Sequence, residues 1–206
     1  VTELPDAVRF GIGTYTRLPV PAPRVVDADT AGRGLALGPA VGAGIGLLSG
    51  LPLLVTGPDL LTRLLSATLV VALAAWLSRG LHWDGLADLA DGLGSAAGPD
   101  RALAVMRRSD IGPFGVLTLV LTLALQVLAL ALLPAGAAAL AGWVTAVSLG
   151  RLAVALASGP WTRPARRQGL GALVVGSVRP GLLAAAALTA GAIALVPVAA
   201  DLLEWQ

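Results

Sequence analysis

At 206 residues, with 56% hydrophobic side chains, 13% charged ones and a mean hydropathy of +0.84, the chain carries far more apolar surface than a soluble core of this size absorbs. That excludes an ordinary water-soluble domain and predicts an all-α, polytopic membrane bundle formed by one domain, residues 1–206. The net charge of +2 and a pI near 10.4 do not point to nucleic acid, because the arginines sit in short segments beside apolar runs, where membrane topology accounts for them. The absence of Cys removes disulfides, thiolate metal sites and Cys nucleophiles.

Residues 1–34 are mixed. Arg9, Arg17, Arg24 and Arg33 alternate with apolar residues, and Pro19, Pro21 and Pro23 rule out one continuous helix. An interfacial segment followed by a loop is expected here, with no apolar core of a secretory signal. Residues 35–55 are apolar and about 21 long, enough to cross roughly 30 Å of hydrocarbon at about 1.5 Å per residue. Gly34, Gly38, Gly42, Gly46 and Gly50 recur every fourth residue and place a small-residue stripe on one helix face, where a neighbouring backbone can approach.

A second apolar run covers 60–78, with Arg63 near enough to its end to snorkel. The polar connection 79–110 follows. Further apolar runs cover 111–133 and 135–158, the latter with Arg151 in its second half. A polar link at 159–169 leads to the piece 170–178, too short to span, and then to a last run at 181–203. Five spanning helices are expected, or six if 170–178 pairs with its neighbour as a re-entrant hairpin. Arginine crowds the segments that share a side with the N-terminus, and Arg63 stands alone opposite. The positive-inside rule therefore puts residues 79–110 in the cytoplasm, in a multi-pass protein of the cell (inner) membrane.

That cytoplasmic connection carries the chemistry. Asp84, Asp88 and Asp91 stand at i, i+4 and i+7, so a helix over 80–93 puts all three carboxylates on one face with no base among them. Such a set suits Mg²⁺, held by one to three Asp with phosphate oxygens and water; a solvated acidic face is the alternative. His82, the only histidine, lies off that face and reads as a general base, a phosphate ligand or a simple hydrogen-bonding residue. Arg107, Arg108 and Ser109 precede a helix that starts near Gly112 and Pro113. With its N-terminal dipole they form either a phosphate cradle or a positive-inside anchor. Arg151, inside an apolar run, is expected to face the bundle and pair with an anion, whereas Gln126 bridges helices.

Taken together, Gly80-Leu-His-Trp-Asp-Gly-Leu-Ala-Asp-Leu-Ala-Asp-Gly92 and Met106-Arg-Arg-Ser-Asp-Ile-Gly-Pro-Phe-Gly115 resemble the signature pair of the cobalamin synthase (adenosylcobinamide-GDP ribazoletransferase) family. The likeness extends to Thr16-Arg-Leu-Pro-Val-Pro21, to Pro39 with Gly42 and Gly46, to Arg151 and to Arg166-Arg-Gln-Gly-Leu-Gly171. It implies a Mg²⁺-dependent membrane transferase. The 5′-hydroxyl of α-ribazole, or of its 5′-phosphate, would attack the cobinamide-side phosphorus of adenosylcobinamide-GDP, releasing GMP and forming adenosylcobalamin or its 5′-phosphate. It also implies roles. Asp84, Asp88 and Asp91 would hold the metal, Arg107, Arg108, Ser109 and Arg151 would meet phosphate, and His82 or one Asp would take the hydroxyl proton.

Two features depart from the family's pattern. Its second motif usually reads Lys/Arg-Asp-Ser-Arg, whereas Arg108-Ser109-Asp110 exchanges acid and base. Its chains usually continue into a further helix and a Gly-Gly-x-Thr-Gly-Asp segment, so a complete site is expected to draw on that segment too. Two rival readings remain. Asp88-Leu-Ala-Asp-Gly92 echoes the Asp-rich motif of CDP-alcohol phosphotransferases without the Ala-Arg pair and later acids that motif needs. A cation carrier could use the same carboxylates, although those of transporters normally lie within spans.

Overall fold

The computed structural model describes residues 4–204, with side chains through 197, and among these residues the secondary structure is helical without strands. Two short helices precede the first crossing. α1 (Asp6–Tyr15) ends where the Thr16 hydroxyl bonds back to the Ile12 carbonyl at 2.8 Å. α2 (Ala28–Ala36) begins where the Asp27 carboxylate accepts from the Thr30 N–H at 2.8 Å, a capping bond that satisfies one free donor of the first turn. The expected interfacial segment and loop are therefore a helical hairpin, with the prolines confined to its linker. The helices meet through Gly11 and Gly34, where a Cβ on either would collide with the other's backbone. Asp6 anchors the linker, accepting from the Arg24 and Val25 N–H groups at 3.0 and 3.1 Å.

α3 (Gly38–Gly50) follows after one residue and tightens into a 3-10 turn, Leu51–Val55. Pro52 lacks the N–H that would continue the α-helical ladder. The remaining elements are α4 (Leu60–Leu77), α5 (Leu81–Gly94), α6 (Pro99–Val105), α7 (Pro113–Leu132), α8 (Ala137–Ala157), α9 (Leu170–Val174) and α10 (Pro180–Glu204). Among the described residues five segments are long and apolar enough to cross a membrane: Gly38–Val55, α4, α7, α8 and Pro180–Pro197. The short apolar piece 170–178 forms only the five residues of α9 and a turn, with Val178 N–H bonding the Ser158 carbonyl at 3.1 Å, so no sixth crossing arises there.

The glycine stripe sets the packing. Cβ atoms built on Gly38, Gly42 and Gly46 would strike the backbone of α8 at Arg151, Val147 and Val144, and one on Gly50 would strike Leu140 and Trp143. α3 and α8 are thus in near-backbone contact, the geometry small residues permit where apolar surface alone gives no advantage over lipid. Ser148 Oγ donates to the Pro39 carbonyl at 3.0 Å and Trp143 Nε1 to Ser49 Oγ at 2.9 Å, fixing the pair's register. α10 joins this pair, and α7 packs with α4 and α5. Leu65, Leu117, Leu125 and Leu188 face outward, as a lipid-embedded bundle requires.

Alternate crossings divide the polar segments between two ends. The hairpin, the α4–α7 connection and the α8–α10 connection share one end, knit by the Arg17 N–H to the Leu77 carbonyl (2.8 Å), the Arg79 guanidinium to the Gly13 carbonyl, and Arg179 to Asp29 (3.2 Å). At the other end Arg63 reaches the Leu133 carbonyl. The arginine asymmetry expected from sequence is therefore an asymmetry of the folded bundle.

Candidate active site

The approach to the acidic helix is a sharp reversal. Gly80 N–H bonds the Ala75 carbonyl (2.9 Å) and Arg79 N–H the Trp76 carbonyl (3.3 Å), the paired bonds of a Schellman ending to α4. Arg79 and Gly80 both take positive φ, 56° and 67°. Glycine does so freely; Arg79 is held there while its guanidinium reaches the first helix. α5 then runs back along the first half of α7.

On α5 the three aspartates have different surroundings. Asp84 is exposed in the first turn, where the helix dipole favours a negative charge. Asp88 is partly buried, and its carboxyl is raised above the usual range by burial and by the charges of Asp84 and Asp91. Asp91 is committed elsewhere: Oδ2 accepts from Gly112 N–H at 2.7 Å and Oδ1 from Gly115 N–H at 2.8 Å, so the carboxylate caps α7. A Cβ on Gly112 or Gly115 would collide with that carboxylate, one on Gly94 with the Phe114 ring, and one on Gly92 with Met106. The spaced glycines of both motifs are what let α5, α6 and α7 approach so closely. Among the described residues no three His, Asp or Glu side chains gather to hold a metal.

The proposed phosphate cradle is redistributed. Two N–H groups at the start of α7, those of Gly112 and Gly115, are taken by Asp91 rather than left for phosphate. Arg108 lines a hollow of about 260 Å³ with Asp88, Asp91 and Asp110. Arg107 instead shares a second hollow with Arg166, Arg167 and Gln168, and the Arg166 guanidinium bonds the Leu103 carbonyl. Ser109 is exposed and lines neither. The polar link after α8 therefore reaches the acidic segment from across the sequence; the arginine cluster at 163–167 was its only signal.

His82 turns away from the aspartates, as its position two residues before Asp84 requires. Its ring stacks on Tyr15, with centroids 6.3 Å apart and planes 15° from parallel, and Tyr15 donates to the Leu35 carbonyl at 3.3 Å. Beside it opens a cleft of about 250 Å³ between α4, α7 and α8, lined by His82, Trp83, Thr122, Gln126, Trp143 and Arg151 among others. Arg151 faces the bundle as expected, but no carboxylate of the described residues pairs with it; its Nε and the Nδ1 of His82 are buried without a hydrogen-bond partner. Burial, and secondarily Arg151, depress the His82 imidazole to about 4, so it is neutral at neutral pH. The cleft was not foreseen. Its signal was Thr122 and Gln126, which with Thr118 recur every fourth residue in an otherwise apolar run.

Five candidate spans, with the carboxylates and guanidiniums of the segments between them gathered at one end, define a polytopic membrane protein with its polar chemistry there. Comparison with known proteins gives its kind. The chain belongs to the cobalamin-5-phosphate synthase family, whose model matches residues 7–204, and hence to a family of transferases. It is 42% identical over 207 residues to an adenosylcobinamide-GDP ribazoletransferase of Frankia casuarinae, covering 96% of this chain and 73% of that one. Proteins of the same name from a Nocardioides species (42%; 84% of this chain, 74% of the relative) and Corynebacterium efficiens (35%; 93% and 71%) are also similar. No solved structure matches the chain.

Proposed function

We propose that the chain transfers the adenosylcobinamide phosphate of adenosylcobinamide-GDP to α-ribazole or its 5′-phosphate, in a reaction that requires Mg²⁺. The observation that carries this reading, beyond family membership, is the juxtaposition of Asp88 and Asp91 with Arg108 and Asp110 at the start of α7, beside a cleft whose arginine has no carboxylate partner. The 5′-oxygen attacks the cobinamide-side phosphorus, the bond from that phosphorus to the GMP oxygen breaks, and GMP leaves with the electron pair. Such transfers depend on positioning and charge neutralisation more than on covalent help.

Asp84 and Asp88 are suited to Mg²⁺. Neither has an ion-pair or hydrogen-bond partner among the described residues beyond its own helix, and the Asp88 carboxyl is raised first by burial and then by the charges of Asp84 and Asp91. With Asp91 engaged by α7, the set resembles the common arrangement of one or two carboxylates completed by substrate phosphate and water rather than a protein cage. When bound, the ion supplies charge neutralisation on the diphosphate. Arg108, beside Asp88, and Arg107, with Arg166 and Arg167, bind phosphate oxygens. Asp91 sets the spacing between the acidic helix and α7.

His82 receives the hydroxyl proton. Its Nδ1 is unpartnered, and an anion beside Arg151 removes part of what depresses the imidazole. The polar end of the bundle is cytoplasmic in the cell membrane, by the excess of arginine there. A carrier reading is disfavoured because α5 lies outside the five candidate spans. The test is GMP release from adenosylcobinamide-GDP by membranes containing the protein. Release is expected only with α-ribazole and Mg²⁺ both present, and release no greater than from an Asp84→Ala control overturns the proposal.

A further inference from the structure

The cleft beneath α5 is unfinished as a protein interior. Two buried polar atoms, Arg151 Nε and His82 Nδ1, lack partners, and no carboxylate lines the cavity to answer the guanidinium. Buried polar groups of this kind are normally satisfied, so a ligand or solvent is expected to complete them. Among the described residues the side chains of Thr122 and Gln126 have no hydrogen-bond partner, and the rest of the wall is mostly apolar and aromatic, with Trp83 and Trp143. An occupant must therefore combine a flat apolar body, few ring heteroatoms and an anionic or hydroxylic end.

We propose that this cleft is the pocket of the acceptor nucleoside, with the aromatic base among Trp83, Trp143 and Gln126 and the ribose 5′ end toward Arg151 and His82. The inference rests on the transfer reaction proposed above and assigns one of its substrates to a place. A benzimidazole-type base joined to ribose keeps a single free ring nitrogen, an acceptor that one amide N–H of Gln126 satisfies. Guanine presents several donors and acceptors, and the two uncharged polar side chains of this wall do not match them. The diphosphate of the donor substrate is left to the hollows lined by Asp88, Arg108, Arg107 and Arg166, whose guanidiniums suit phosphate oxygens.

The experiment is equilibrium binding of α-ribazole to the full chain in lipid nanodiscs, without the second substrate, followed by quenching of tryptophan emission. Ala146→Phe fills the cleft from an exposed position on α8, and Gln126→Leu removes the amide while keeping bulk. Each is expected to raise the Kd for α-ribazole about tenfold or more, with the Kd for adenosylcobinamide-GDP changed by less than about twofold. Arg151→Gln should weaken the 5′-phosphate of α-ribazole more than α-ribazole itself. Unchanged binding in both cleft variants, or a selective loss of adenosylcobinamide-GDP, overturns the assignment, as does failure of the wild-type chain to bind α-ribazole. A wild-type chain that binds α-ribazole with this dependence but releases no GMP overturns the proposed reaction and leaves the pocket standing.

Discussion

The carboxylate of Asp91 and the backbone N–H of Gly112 lie 2.7 Å apart, fastening the acidic helix to the first turn of α7 across 21 residues of chain. With the companion bond to Gly115, this makes Asp91 a helix cap supplied from a distant element. It accounts for why an aspartate ends one motif while glycines open the helix after the other.

Asp91→Ala leaves two N–H groups of α7 without their carboxylate and is expected to lower stability by about 1–2 kcal/mol. Asp91→Asn, retaining one acceptor oxygen, should recover about half of that. Thermal unfolding in nanodiscs measures both. Full stability with lost turnover would instead make Asp91 a ligand of the reacting groups.

Gly46→Leu is expected to be more damaging than the same change at Gly44, although both lie on α3. A side chain at Gly46 meets the α8 backbone at Val144, whereas nothing lies within 4 Å at Gly44. Overpacking at Gly46 should destabilise by about 1–3 kcal/mol or more, against a few tenths at Gly44. Equal effects at the two positions would contradict the packing of α3 on α8.

Chelation of divalent ions should abolish GMP release, and Mg²⁺ should restore it. Asp84→Asn and Asp88→Asn are each expected to reduce kcat by about 100-fold or more, as loss of electrostatic stabilisation at a reacting phosphate typically does. Melting temperatures should stay within a few degrees, because neither carboxylate has a structural partner. Activity that persists in chelator removes the metal from the proposal.

Accessibility of single cysteines tests orientation. In intact cells, Thr56→Cys, at the turn after α3, should react with a membrane-impermeant maleimide, and Ser109→Cys, between α6 and α7, should react only after permeabilisation. The reverse pattern would place the site outside.

Low pH should loosen the N-terminal hairpin. The N–H of Arg24, then that of Val25 and the charge of Arg9, lower the Asp6 carboxyl below its ordinary 3.8. A carboxylate depressed in the folded state stabilises it above the unfolded value and loses that contribution as pH falls through the folded one. The 18–27 linker is thus expected to stay attached at about pH 4 and above and to loosen only as pH falls through the lowered value of the folded carboxyl. An NMR titration of Asp6 giving a midpoint at or above 3.8 would show that the anchor contributes nothing.

Much of this protein was legible in the residues alone. Five spans, their boundaries within a few residues, the arginine-rich end and the acidic helix follow from hydropathy, charge and the spacing of Asp84, Asp88 and Asp91, because a bilayer imposes length and a helix imposes periodicity on local sequence. The glycine stripe announced a close contact, and its four-residue period was enough to predict the face. Local pattern does not say which helix fills a given face, or which polar groups from remote segments meet. That is why the partner of the stripe, the hairpin before α3, the capping role of Asp91, the parting of Arg107 from Arg108 and the cleft shared by His82 and Arg151 appeared only with the tertiary structure. Each depends on contacts between residues distant in the chain, such as 18 positions for Asp6 and Arg24, 21 for Asp91 and Gly112 and 109 for Ser148 and Pro39, which packing brings together and no sequence window contains.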